Sequence, residues 1–118
     1  MELANKLQLP KDTAIFLVNA PGGLKLDLEV AKKLNPGNAV LLFANNSKTL
    51  ESNAGATIEA ARADRLSWIA YPKAGQLKTD LNRDRLVELM KPYGIEGVRL
   101  VSIDEVWSAM RFRPIRSR

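Results

Sequence analysis

Three short runs in this chain are apolar with almost no polar interruption: Ala14 to Val18, Ala39 to Ala44, and Leu66-Ser67-Trp68-Ile69-Ala70-Tyr71. None shows the alternation of a half-exposed strand, and each is too short for a core helix. They read as strands buried on both faces, which confines the chain to a layered sheet with helices supplied by the segments between the runs.

Those segments carry helix signals. After Ala44, the residues Asn45, Asn46 and Ser47 are N-cap candidates for a helix from about Lys48 to Ala63, with Leu50, Ala54, Thr57, Ile58 and Ala61 facing inward. Its small inward residues predict close packing on the sheet, and Gly55 weakens it by about 1 kcal/mol relative to alanine. Strand, helix and strand then form a right-handed parallel unit. Pro72 stops the third strand. A polar loop with Lys73, Gly75 and Lys78 follows, and a helix is launched from Thr79-Asp80-Leu81-Asn82-Arg83-Asp84. Its inward face is Leu86, Leu89, Met90 and Tyr93; Pro92 tightens its last turn and Gly94 suits the left-handed position after it. Gly97 to Ile103 reads as a fourth core strand. Asp104-Glu105 connects it to Val106–Arg113, where Val106, Ser108, Met110 and Phe112 alternate with Trp107, Ala109, Arg111 and Arg113, so the pair forms an antiparallel hairpin.

The first third is less determined. Leu3 and Leu7 mark a short amphipathic helix over Glu2 to Leu9, ended by Pro10. Gly22-Gly23 reads as a turn rather than a phosphate cradle. Beyond it Leu24, Leu26, Leu28 and Val30 alternate with charged residues as a strand would, in a hairpin with the first strand; a helix over Asp27 to Leu34 fits the same residues.

Composition removes several chemistries. The 118 residues contain neither cysteine nor histidine, so zinc held by those ligands, Cys–His nucleophiles and Ser–His triads are excluded. No cofactor is expected. A metal would be a hard ion on oxygen ligands such as Asp80, Asp84 and Asp104, although capping accounts for Asp80 more simply. No apolar run reaches membrane-spanning length, and the start has neither a basic segment nor an apolar one, so the expected location is the cytoplasm. Net charge is +5, and Arg111, Arg113, Arg116 and Arg118 cluster near the end with no acid among them. They are either a solvated basic tail or contacts to a phosphate backbone.

Three segments, Trp68-Ile69-Ala70-Tyr71-Pro72-Lys73, Lys78 to Asp84, and Asp104 to Phe112, together resemble a family of short bacterial proteins known only as a domain of unknown function. The segment between Gly22 and Asn35 is shorter than in that family. More remotely, residues 39–113 look like the C-terminal half of a class I methyltransferase sheet, in which the last strand inserts antiparallel between its neighbours. That likeness implies the order first strand, Ala39 strand, Leu66 strand, Val106 strand, Gly97 strand. The Gly-rich strand–turn–helix of such enzymes is missing, as is the acidic residue that holds a ribose, so adenosylmethionine is not an expected ligand. The expected fold is one α/β domain over residues 1–118 ending in a basic tail at 114–118. Its sheet is small, mixed and mostly parallel, Rossmann-like, with a C-terminal antiparallel hairpin and helices packed on it.

Open α/β sheets bind ligands at the carboxyl ends of their strands. Here that rim collects Tyr71, Lys73 and Lys78, then Asp80 and Arg83, and finally Asp104 and Trp107. As an anion pocket, the lysines are point charges, Arg83 a fork, helix amides donors and Trp107 a stacking wall. As plain architecture, Asp80 or Asn82 is an N-cap, Arg83 and Asp84 are solvated charges, Trp107 is core, and Asp104 pairs Lys73 or Arg111 to lock the hairpin. Tyr71 beside Lys73 is the nearest thing to an acid–base pair, and no spacing resembles a known catalytic set. The expectation is a noncatalytic binding module for a small anionic ligand or a protein partner at residues 71–84 and 104–107. The alternative is a nucleic-acid-associated protein using its arginine tail.

Overall fold

The computed structural model describes residues 3–9, 13–21, 30–31, 39–73 and 79–115. The three apolar runs form β1 (Ile15–Val18), β2 (Ala39–Phe43) and β3 (Ser67–Pro72), and the C-terminal hairpin is β4 (Ile95–Ser102) and β5 (Trp107–Pro114). They make a five-stranded sheet in the order β1-β2-β3-β5-β4, the order expected. β1–β2 and β2–β3 are parallel, β3–β5 and β5–β4 antiparallel, and the antiparallel ladders are the longer ones. The sheet is therefore mixed, not mostly parallel. Inserting β5 between β3 and β4 makes half the ladders antiparallel.

Alternation along each strand separates two cores. Leu42, Ile69, Met110 and Phe112 point to one face and pack with Leu50, Ala54, Ala61, Leu86 and Met90. That face is covered by α2 (Ser47–Asn53), α3 (Gly55–Arg62) and α4 (Arg83–Met90). Leu41, Phe43, Trp68, Trp107 and Ala109 point to the other face and pack with Leu7, which follows the short α1 (Leu3–Lys6). The Trp68 indole donates to the Leu7 carbonyl at 3.1 Å, tying the first segment to the sheet. An indole N–H buried without such a partner carries a desolvation cost.

Several local expectations change. The single helix over 48–63 is two, broken at Ala54, whose ψ of −8° departs from helical geometry. The break places Gly55 at the first position of α3, where a glycine weakens a helix less than it does inside one. The helical face of α4 is as expected at Leu86 and Met90, but Tyr93 lies in a 3-10 turn (Lys91–Tyr93) and is exposed; Gly94 is left-handed, at φ 80°. β5 ends at Pro114, the last paired residue, opposite Ile95. Val30 makes a parallel bridge to Ile15, and the Ala31 amide donates to the Ile15 carbonyl, so this contact is not that of an antiparallel hairpin. Residues 22–29, and with them most of the strand-or-helix question, lie outside the described residues.

β4 is the outer edge, as the order implied by the methyltransferase likeness has it, although its own apolar run reads as a core strand. Its register against β5 shifts between Gly97 and Arg99, leaving Val98 as a bulge. Among the described residues no helix is long and apolar enough to cross a membrane.

Candidate functional site

The rim at the carboxyl ends of β2 and β3 is real, but its polar groups are largely engaged with one another. Asp80 is the main example. Its carboxylate accepts from the Ser47 amide at 2.8 Å and from the Ser47 hydroxyl at 2.5 Å. The hydroxyl bond, followed by the amide bond, holds the Asp80 carboxyl below the usual aspartate range. Asp80 therefore does not cap the helix that follows it. Asn82 caps α4, accepting from the Arg85 amide, and Asn46 caps α2, accepting from the Thr49 amide. A carboxylate of the protein itself thus occupies the position at α2 that a bound anion would take.

The hairpin end is similarly closed. Asp104 Oδ1 accepts from the amides of Val106 and Trp107, both at 2.8 Å. It pairs neither Lys73 nor Arg111. Lys73 donates from Nζ to the Ser102 hydroxyl at 2.7 Å, and its amide donates to the Val106 carbonyl. Trp107 is not a stacking wall. It is 4% exposed, belongs to the second-face core, and meets Phe43 edge-on with ring centroids 5.1 Å apart. Tyr71 belongs to the opposite core, so the two aromatics expected to converge point to opposite sides of the sheet. Burial raises the Tyr71 phenol above its ordinary value, with Arg83 opposing the shift and Asp84 reinforcing it. A pKa driven further from neutrality is the reverse of what a general acid or base needs. Arg83 lies in the first turn of α4, 3.6 Å from the Asp84 carboxylate, both well exposed. Lys78 lies outside the described residues. Among the described residues no group of three or more acidic side chains is placed to hold a metal.

A concavity does lie close by, displaced from the rim to the outer edge of the sheet. A groove of about 340 Å³ runs between α4 and β4. Its apolar lining comes from Val87, Val98, Leu100 and Met110, and its charges from Arg83 and Asp84; Arg99 lies in its strand wall, paired opposite Arg111. Val98 and Leu100 are 39% and 45% exposed. Gly97 keeps the groove open: a Cβ there would sit 2.2 Å from Met110 Sδ, so the methionine fills space that any other residue at position 97 would claim. Of the described rim residues read from the sequence, Arg83 alone lines this groove. The others missed by that reading, Val98, Arg99 and Leu100, sit in a run whose apolar character signals a strand without saying which strand is outermost.

The arginine cluster is divided. Arg111 and Arg113 are in β5, on the face that carries Trp107, while Arg116 and Arg118 lie outside the described residues. Arg111 donates from Nη1 to Gln8 at 2.7 Å, and its Nε is buried with no hydrogen-bond partner. Arg113 Nε is likewise without one, 3.6 Å from the Glu96 carboxylate. Arg99 stands directly opposite Arg111 in the ladder.

Comparison with protein-family models, curated proteins and solved structures finds no match. The function of the site is therefore argued from its own geometry.

Proposed function

We propose that this chain is a noncatalytic binding module that holds a protein partner in the groove between α4 and β4, next to Arg83. The observation that carries this reading is the pairing of an open groove with two large apolar side chains, Val98 and Leu100, left exposed on the outermost strand. Apolar side chains concentrated at a concavity mark contact surfaces more reliably than scattered ones do. The rim is the poorer surface for a small anion, because Asp80 already satisfies the amide at the start of α2. Selection from a random peptide display library against the immobilised domain tests the proposal. An enriched peptide family whose binding is lost in Leu100→Lys supports it. No enrichment, or equal retention by the variant, overturns it.

A second reading rests on three arginines carried on the second face of the sheet, Arg99 opposite Arg111 and then Arg113 in β5, a grouping that suits a phosphate backbone approaching that face. Affinity for random duplex and single strands should then fall steeply with salt, and the Arg113→Gln variant should show a shallower slope. A slope unchanged by that substitution removes this reading. Removing residues 116–118 is the safe truncation, because Pro114 pairs with Ile95 and the Ile115 amide donates to the Gly94 carbonyl.

A further inference from the structure

We infer that the occupant of the α4–β4 groove is an extended acidic segment of a protein partner, added to β4 as a sixth strand with one apolar side chain lowered into the groove and a carboxylate against Arg99. This rests on the groove being a protein-binding surface and specifies what it takes.

β4 pairs with β5 on one side, and among the described residues no strand pairs with its other side. An outer strand presents a row of backbone donors and acceptors that another chain can extend. Natural edges are protected by bulges and charges, and β4 has both, at Val98 and Arg99. The bulge breaks the row, and Lys6 Nζ already donates to the Ser102 carbonyl at 3.1 Å, so regular pairing is confined to the Leu100 amide and carbonyl and the Ser102 amide. That makes the contact short and selective instead of a template for any strand.

The side-chain chemistry sets the sequence of the guest. In an added strand alternate residues face the same side. Those over the helical face meet the apolar lining, where Leu100 is exposed and Met110 lies beneath the bare backbone of Gly97. Methionine in such a floor adapts to different aliphatic guests. Arg83 on the helix wall stands beside the Asp84 carboxylate, whereas Arg99, opposite Arg111, projects from the other face of the sheet, where the alternate residues of an added strand would meet it. Arg83 is 3.6 Å from that carboxylate, which leaves Arg99 as the fork for an incoming acid. A second copy of this chain is a poorer guest. Antiparallel pairing of two copies over Arg99 to Ser102 offers Arg99 no acid, since that stretch carries none. A helical guest would leave the backbone row of β4 unpaired.

The test uses two labelled, end-blocked heptapeptides, one alternating glutamate with valine and one alternating lysine with valine. Fluorescence anisotropy with the full chain should give at least tenfold tighter binding of the acidic peptide. Arg99→Glu should reverse that preference, and Arg99→Gln should abolish it; far-UV circular dichroism checks that both variants fold. On binding, the backbone amides of Leu100 and Ser102, which point away from β5, should gain protection from hydrogen exchange. Equal or absent affinity for the two peptides, a preference unmoved by both Arg99 variants, or unprotected β4 amides overturns strand addition. If library selection still yields peptides lost in Leu100→Lys, the groove stands and only the strand proposal falls. If the library also fails, both fall.

Discussion

The carboxyl-end rim and the outer edge of β4 are neighbours with opposite character. The rim is denser in charged and hydrogen-bonding groups, yet most of them have partners within the chain: Asp80 with Ser47, Asp104 with two amides, Lys73 with Ser102. The β4 edge has fewer charges and leaves more unmet: exposed Val98 and Leu100, an open groove and a side that no strand pairs among the described residues. Density of polar residues is thus a poor guide to a site. What matters is which groups folding leaves without a partner, since those already satisfied must break a bond to make one.

The largest test of this contrast is Trp107→Ala. As a core residue packed on Phe43, its loss should destabilise the fold by about 3–5 kcal/mol in urea unfolding; a change below about 1 kcal/mol would return Trp107 to the rim as a free surface. Next is Gly97→Ala. The added Cβ must displace Met110 Sδ, so stability should fall by about 1–3 kcal/mol, and affinity for groove-selected peptides should fall with it.

Asp80 gives a pH signature. Its folded pKa is depressed, so its contribution is complete above the ordinary aspartate range and is lost as pH falls through the folded value. Asp80→Asn should flatten the acid limb of the thermal melting profile; an unchanged limb would mean the Ser47 bonds contribute nothing in solution. The smallest effect belongs to Lys73→Ala, within about 0.5 kcal/mol of the parent. Inorganic phosphate should raise the melting temperature of neither protein, and a rise confined to the parent would restore the anion pocket.

The strands and their order were legible because apolar runs and turn residues are local signals. Cap chemistry was legible as well, at Asn46 and Asn82. Asp80 shows the limit. Its identity announced a cap, but its partner lies 33 residues earlier in sequence, a distance over which no spacing rule reaches. Trp107 shows another. Its alternation with Met110 placed the two on opposite faces, yet Arg111 and Arg113 share its face and made that face look wet. The break at Ala54 carries no glycine or proline of its own, and the bulge at Val98 depends on how β4 meets β5. The strand order implied by the methyltransferase likeness set β4 outermost, but its apolar run gave no sign that Val98 and Leu100 would be exposed.

Both tryptophans of the chain, Trp68 and Trp107, lie in the core opposite α2, α3 and α4. Intrinsic emission consequently reports the side clasped by the amino-terminal segment, whereas far-UV ellipticity is dominated by the three helices across the sheet. Heating curves recorded by the two signals superimpose if the layers melt together. If they separate, the emission change dates the release of Leu7 from the Trp68 indole, and the spectrometer resolves one side of the molecule from the other without any introduced probe.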